Sequence, residues 1–363
     1  MTEFERKQAS IRTLLAEKKL DGLLLERVSS FAWATCGASS YVNTATTTGA
    51  AALLVTASDL YVLADNIEAP RLEQEEQIGS QGWKLLIHPW HESSTALVDL
   101  TRGLRLGADG PHPRALDLSA DLARLRANLS PEEGERLRAL SRLSAEAMDA
   151  AIRAVRPGLT EYEIAGLLAS EAEQRGVQAI VNLVATDERV YSYRHPLPTS
   201  KRLVRYAMLV LCGRRWGLVC SLTRLVHFGP MPDDLRRKSE AVARVDAEFI
   251  QATRPGTNLA EVFERATAAY SEVGFPDEWR LHHQGGTAGY EPREYVATPG
   301  SGDIVLAGQS YAWNPSITGT KSEDTILVSD AGCDVLTTIS GWPMLQVAIG
   351  ETTLSRPAIL ESQ

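Results

Sequence analysis

Leu281-His282-His283-Gln284-Gly285-Gly286-Thr287-Ala288-Gly289-Tyr290, continued by Glu291-Pro292-Arg293-Glu294, crowds two adjacent imidazoles, three glycines and an arginine into one short stretch. Glycine lets a backbone turn sharply or lie against something, and imidazole binds, donates and accepts protons near neutral pH. Together they describe one wall of a small-molecule site. They equally describe a plain turn between strands, so the residues on either side must decide.

Downstream, Ser322-Glu323-Asp324-Thr325-Ile326-Leu327-Val328 carries two carboxylates into a strand-like run. Upstream, Ser221-Leu222-Thr223-Arg224 follows the buried-strand pattern Ala207-Met208-Leu209-Val210-Leu211-Cys212. Before that, Ser130-Pro131-Glu132-Glu133 opens a helix, with Ser at the N-cap, Pro at the first position and acids at the positive end of the dipole. That helix stops at Pro157-Gly158, and Thr160-Glu161-Tyr162-Glu163 caps a second one. A third, from about Asp233 to Thr253, stops at Pro255-Gly256, and Asn258 opens a fourth that runs to Val273. Arg156-Pro157-Gly158-Leu159-Thr160 and Arg254-Pro255-Gly256-Thr257-Asn258 resemble each other, which hints at a duplicated unit. The first part of the chain alternates helix (Phe4 to Lys19, Glu68 to Gln77) with strand (from Gly22, Ala50 and Leu60, and from Trp83 to Ile87), the pattern of an α/β domain. These readings predict residues 1–128 as an N-terminal α/β domain and 129–363 as an α+β domain.

Hydrophobic content of 44% and charged content of 23% are those of a globular chain, and no apolar run reaches the length of a membrane span. The N-terminus runs directly into a charged amphipathic pattern without a secretory apolar core, so a cytoplasmic protein is expected. A net charge of −9 with basic residues dispersed among acids argues against nucleic acid as a partner. Cys36, Cys212, Cys220 and Cys333 are widely spaced and read as small buried hydrophobes rather than disulfides or a zinc site.

The order and spacing of these segments resemble the creatinase, prolidase and aminopeptidase P family, over nearly the whole chain. The resemblance implies a creatinase-like pita-bread C-terminal domain, two pseudo-symmetric α+β halves with the site on a concave face, and commonly a homodimer. The metallopeptidase branch of that family uses two Asp, one His and two Glu to hold two divalent ions. In this sequence those positions fall on Leu211, Ser221, His283, Asn314 and Glu323, so that only His283 and Glu323 keep a ligand. Leucine cannot ligate, serine and asparagine are neutral, and a dication pair would lack counter-charge. The expectation is therefore no metal cofactor. Whether a single ion binds at His283 and Glu323 stays open.

Creatinase is the metal-free branch, and Arg194-His195-Pro196 resembles its histidine segment. The resemblance implies His195 as general acid and base, assisted by His283 and Glu323. Arg293 matches an arginine that grips a substrate carboxylate, with Asn314, Tyr290, Thr223 and His282 as further substrate contacts. Thr223 and Asn314 stand where creatinase has carboxylates around a guanidinium group, so creatine itself is disfavoured. The expected substrate is a small carboxylate-bearing amide or N-substituted amino or imino acid, or a dipeptide-like molecule. An Xaa-Pro peptidase with an atypical metal site, and a silent binding protein, are the alternatives. Tyr191, Tyr193, Tyr311 and Trp313 are candidates for pocket lining or for ordinary core. His88 and His91 lack a third ligand, His227 reads as a strand-end residue, and Ser221 lacks a nucleophile-elbow context.

Overall fold

A computed structural model describes residues 1–92 and 95–363. The chain forms two compact units, Met1–Arg126 with Trp216–Leu218, and Ala127–Arg215 with Val219–Gln363.

The first unit is built on a six-stranded mixed sheet in the order Lys84–His88, Leu60–Asp65, Thr48–Thr56, Gly22–Arg27, Leu106–Ala108, Ala115–Asp117. Its central strand is the apolar run Leu23-Leu24-Leu25, fully buried because both faces are covered. The helix expected from Phe4 to Lys19 spans Glu3–Lys18, closed by a Thr2–Glu5 capping box. The helix expected from Glu68 to Gln77 is shorter, Ala69–Gln74, and a 3-10 turn at Ile78–Gln81 follows it.

In the second unit two sheets carry two helix pairs. Leu360–Ser362, Leu218–Phe228, Tyr206–Arg215 and Gln178–Thr186 form the first sheet in that order. The helices Pro131–Ala154 and Glu161–Glu173 pack on it through Met148, Ile152, Ile164 and Leu168. Tyr295–Val296, Gly285–Ala288, Ser310–Trp313, Asp324–Ser329 and Gly332–Val335 form the second sheet. Asp233–Ala252 and Leu259–Glu272 pack on that sheet through Val245, Phe249, Val262 and Tyr270. The two Arg-Pro-Gly stops do the same work in each half. Gly158 and Gly256 take left-handed φ of 93° and 88°. Their amides donate to Leu203 O and Val305 O, and the bridges Thr160–Arg202 and Asn258–Ile304 repeat the pairing. This is the two-half arrangement that the resemblance implies.

The halves join where Thr223 N donates to Glu323 O and where Ser221 N donates to Thr325 Oγ1. Thr325 Oγ1 donates in turn to Ser221 O. That seam lies directly behind the residues of interest. Under it, Arg224 and Arg356 are buried and neutralised by Asp324 and Asp246, with Thr337 and Ser322 donating to the same carboxylates. Each buried charge here meets an opposite one, which is the condition for keeping charge in a core, although Arg224 Nε and Asp246 Oδ1 have no hydrogen-bond partner among the described residues. No helix among the described residues is long and apolar enough to cross a membrane.

Candidate active site

The histidine stretch is held open by its glycines. Gly285 has φ 107°, and a Cβ there would stand 2.2 Å from Ala312 O. At Gly286 a Cβ would stand 2.3 Å from Tyr295 O. Backbone approaches this close exclude every other residue, so the strand Gly285–Ala288 can lie flat between its neighbours only with glycine at both places. Gln284, fully buried, fixes the entry to that strand. Its side-chain oxygen accepts from Tyr270 OH at 2.8 Å, and its amide donates to Trp279 O and His282 O. No motif singled out Gln284; the signal available was a polar residue between an imidazole and two glycines.

His195 arrives from a loop pinned on both sides. Arg194 Nη2 donates to Glu278 Oε2 at 2.7 Å, and Glu278 opens the 3-10 turn that delivers His282. Downstream, Arg189 holds Leu197 O, and Thr199 donates to the buried Glu161. The result is a contact between His195 Nε2 and His282 Nε2 at 3.0 Å. His283 stacks on His282, ring centres 4.4 Å apart, and lies 5.7 Å from His195. Sequence reading gave the assisting role to His283; the direct partner of His195 is instead its neighbour His282. His282 Nδ1 is buried without a hydrogen-bond partner among the described residues. A bare lone pair is cheaper to bury unpaired than an N–H, so His282 is assigned its proton on Nε2, donated to His195. Burial first, and then Lys321 nearby, holds His282 down at about 2. Burial and Arg293 hold His283 at about 4, and His195 is shifted the same way by burial and Lys321. All three rings are neutral bases at pH 7.

The second group centres on Glu323, which is 2% exposed. Thr223 Oγ1 donates to its Oε2 at 2.6 Å, Lys321 Nζ lies 2.8 Å from Oε2, and Arg293 Nη2 donates to Oε1 at 3.1 Å. Burial alone would raise this carboxyl, but the two cations and their hydrogen bonds hold it at about 2. Arg293 Nη1 also donates to Pro292 O and Ser221 Oγ, so its fork is largely engaged within the protein. Two cations against one anion leave one positive charge in excess. Lys321 went unnoticed in the sequence, although Lys321 and Glu323, two apart on an extended segment, share a face. His282 and Lys321 also line one crevice with Tyr193 and Arg194.

Asn314 is buried with its side-chain oxygen unpartnered among the described residues, while its backbone amide donates to Gln284 O. Tyr290 OH donates to Glu133 Oε1 at 2.6 Å, which engages it in the cap of the Pro131–Ala154 helix. Tyr311 and Trp313 belong to the core of the second half, stacked on one another, rather than to a pocket wall. His227 is buried at a strand end, its Nδ1 3.0 Å from Gly229 O. Leu211, expected at the first ligand position, is buried in the helix-facing core with Met148 and Leu222. Its neighbour Cys212 lies on the Ser221 side, its Sγ 3.2 Å from Ser221 Oγ. The reason is strand alternation: Leu211 and Cys212 face opposite sides of the sheet. Burial, and then Glu323 nearby, pushes the Cys212 thiol up, so it is a neutral SH.

The profile of metallopeptidase family M24 matches residues 135–330, more than half of the chain. An uncharacterised peptidase of Staphylococcus aureus (strain MW2) is 26% identical over 265 residues, 70% of this chain and 73% of that protein. Among solved structures, an Xaa-Pro dipeptidase from Bacillus anthracis superposes with a TM-score of 0.80 at 18% identity, over 99% of this chain and 100% of that one. The prolidase from Pyrococcus horikoshii OT3 gives a TM-score of 0.80 at 17% identity, covering 92% of this chain and 99% of the other.

Proposed function

This chain belongs to metallopeptidase family M24, and we propose that it hydrolyses a C–N bond in a small carboxylate-bearing, dipeptide-like substrate without the family's two-metal cluster. The observation that carries this reading is the surroundings of Glu323. Its carboxylate is neutralised by Lys321 at 2.8 Å and Arg293 at 3.1 Å. An ammonium and a guanidinium stand where metal charge would have to be accommodated. The remaining donors, Cys212, Ser221 and Asn314, are all neutral. Two dications do not fit this set.

The chain's own groups suit a proton-transfer route. A neutral His195 takes a proton from water at Nε2, the lone pair that the His282 N–H holds until water or substrate displaces it, and returns that proton to the leaving nitrogen. In the resting site His282 donates to that nitrogen across the 3.0 Å contact, which keeps the His195 proton on Nδ1. The surplus positive charge of Lys321 and Arg293 favours a substrate carboxylate or the developing oxyanion, and the free Asn314 oxygen accepts from a substrate N–H. Creatine, a cationic guanidinium compound, is disfavoured by that charge. Action on dipeptides draws support from the Xaa-Pro dipeptidase and prolidase likenesses, and a homodimer belongs to the same proposal.

A panel of dipeptides, N-acyl and N-alkyl amino acids and cyclic imino acids, assayed for amine or ammonia release, tests it. Turnover is expected in protein free of bound metal pairs. Two equivalents of manganese, cobalt or zinc in active protein purified without chelator would sink the reading.

A further inference from the structure

The three imidazoles do more than the proposed reaction requires. General acid–base transfer needs one ring and a partner to orient it, yet His283 adds a third nitrogen donor. One ligand atom from each of His195, His282 and His283 lies within 4.8 Å of the others, the metal-competent group found among the described residues. With Zn–N bonds of about 2.0–2.1 Å and tetrahedral angles, coordinated nitrogens sit about 3.3 Å apart. The His195 Nε2–His282 Nε2 pair stands at 3.0 Å; ligation through both moves the His282 proton to Nδ1, and the 4.8 Å spread of the three rings has to close by about 1.5 Å. His195 and His283 are solvent-exposed, which leaves a path for an ion and an open coordination position.

The supporting shell is already built. Glu278 joins the two loops, accepting from Arg194 beside His195, from Thr318 N and Oγ1 at 3.0 Å each, and lying in the turn that leads to His282. Gln284 holds the His282 carbonyl at 2.6 Å. Ligands whose backbones are fixed from behind in this way lose little freedom when an ion arrives. The donor set is purely imidazole, which suits zinc, copper, nickel and cobalt, whereas calcium and magnesium want oxygen.

We infer that His195, His282 and His283 form a mononuclear site for one divalent transition ion of the zinc or cobalt class, a ligand set that shares only His283 with the carboxylate-rich pair site of the family. Binding one ion of charge two beside a single excess cation is a far smaller electrostatic load than binding two. The site goes beyond the hydrolysis proposed above. In one respect it rests on it: an ion held by His195 Nε2 removes that nitrogen from proton transfer, so zinc inhibits turnover.

Calorimetric titration of the full, chelator-treated chain with zinc, and visible absorption on titration with cobalt, test the binding without any substrate. One equivalent is expected, with the bands of four- or five-coordinate cobalt. His195→Ala, His282→Ala and His283→Ala are each expected to weaken binding at least tenfold, and His91→Ala to leave it unchanged. X-ray absorption of the zinc-loaded wild type, expected to show three imidazoles, decides the matter even where a variant fails to fold. No saturable binding, binding indifferent to the three alanine variants, or fewer than three imidazoles at the zinc would each overturn the site. Zinc binding in a protein without turnover would leave this site standing and remove the hydrolytic reading; turnover without zinc binding would do the reverse.

Discussion

Replacing Glu323 by Gln tests the charge arrangement on which the functional reading depends. The carboxyl is 2% exposed and held at about 2, against an ordinary value of 4.5. At about 1.36 kcal/mol per pH unit, that difference amounts to about 3 kcal/mol of stability at neutral pH. Its pH window follows from the sign. The folded value is depressed, so the contribution is complete above about pH 4.5 and is lost as pH falls from 4.5 towards 2. Glu323→Gln removes the charge at every pH and leaves Lys321 and Arg293 without their anion, a loss of about 3 kcal/mol or more for buried pairs. Urea unfolding of wild type and variant should therefore differ by about 3 kcal/mol at pH 7, with the gap closing as pH falls through the window. Other carboxylates titrate equally in both proteins and cancel in the difference. Adding Lys321→Met should recover part of the loss, with a coupling of at least ~1 kcal/mol. A gap of under about 1 kcal/mol at pH 7, or one that does not change with pH, would refute the buried ion-pair assignment.

His195→Ala is expected to abolish amine or ammonia release on any substrate the panel identifies while leaving the unfolding midpoint near wild type, because the ring is exposed; intact turnover in a folded variant removes the proton-transfer role. Gly285→Ala should cost several kcal/mol, measured as a lowered Tm or loss of soluble protein, because its Cβ would fall 2.2 Å from a carbonyl oxygen at φ 107°. Glu278→Ala unties both histidine loops, so turnover should fall at least tenfold and zinc affinity with it, read by steady-state kinetics and calorimetry.

Much of the fold was legible because its signals are local. Ser130, Thr160 and Asn258 cap the helices they were expected to cap, since a short polar side chain before an apolar periodic run satisfies free N–H groups whatever surrounds it. The Gly-rich stretch announced a close backbone approach, and Gly285 and Gly286 make one. Less legible were the residues whose importance depends on which side chains the folded backbone turns towards them. Lys321 acquires meaning only beside Glu323 and the imidazoles, and Gln284 only through Tyr270 and the His282 carbonyl. Linear spacing does not record which side of a strand a residue faces; the packing of the Tyr206–Arg215 strand turns Leu211 into the helix-side core and sets Cys212 beside Ser221.

By itself the amino-acid order determined the element pattern and the family resemblance, because periodicity, caps and residue identity are properties of the chain alone. Only the tertiary structure decided that His282 meets His195, that three imidazoles converge, and that Glu323 is already neutralised by two cations. His195 meets His282 across 87 positions of chain and Arg293 meets Glu323 across 30, contacts that only the folded chain brings together.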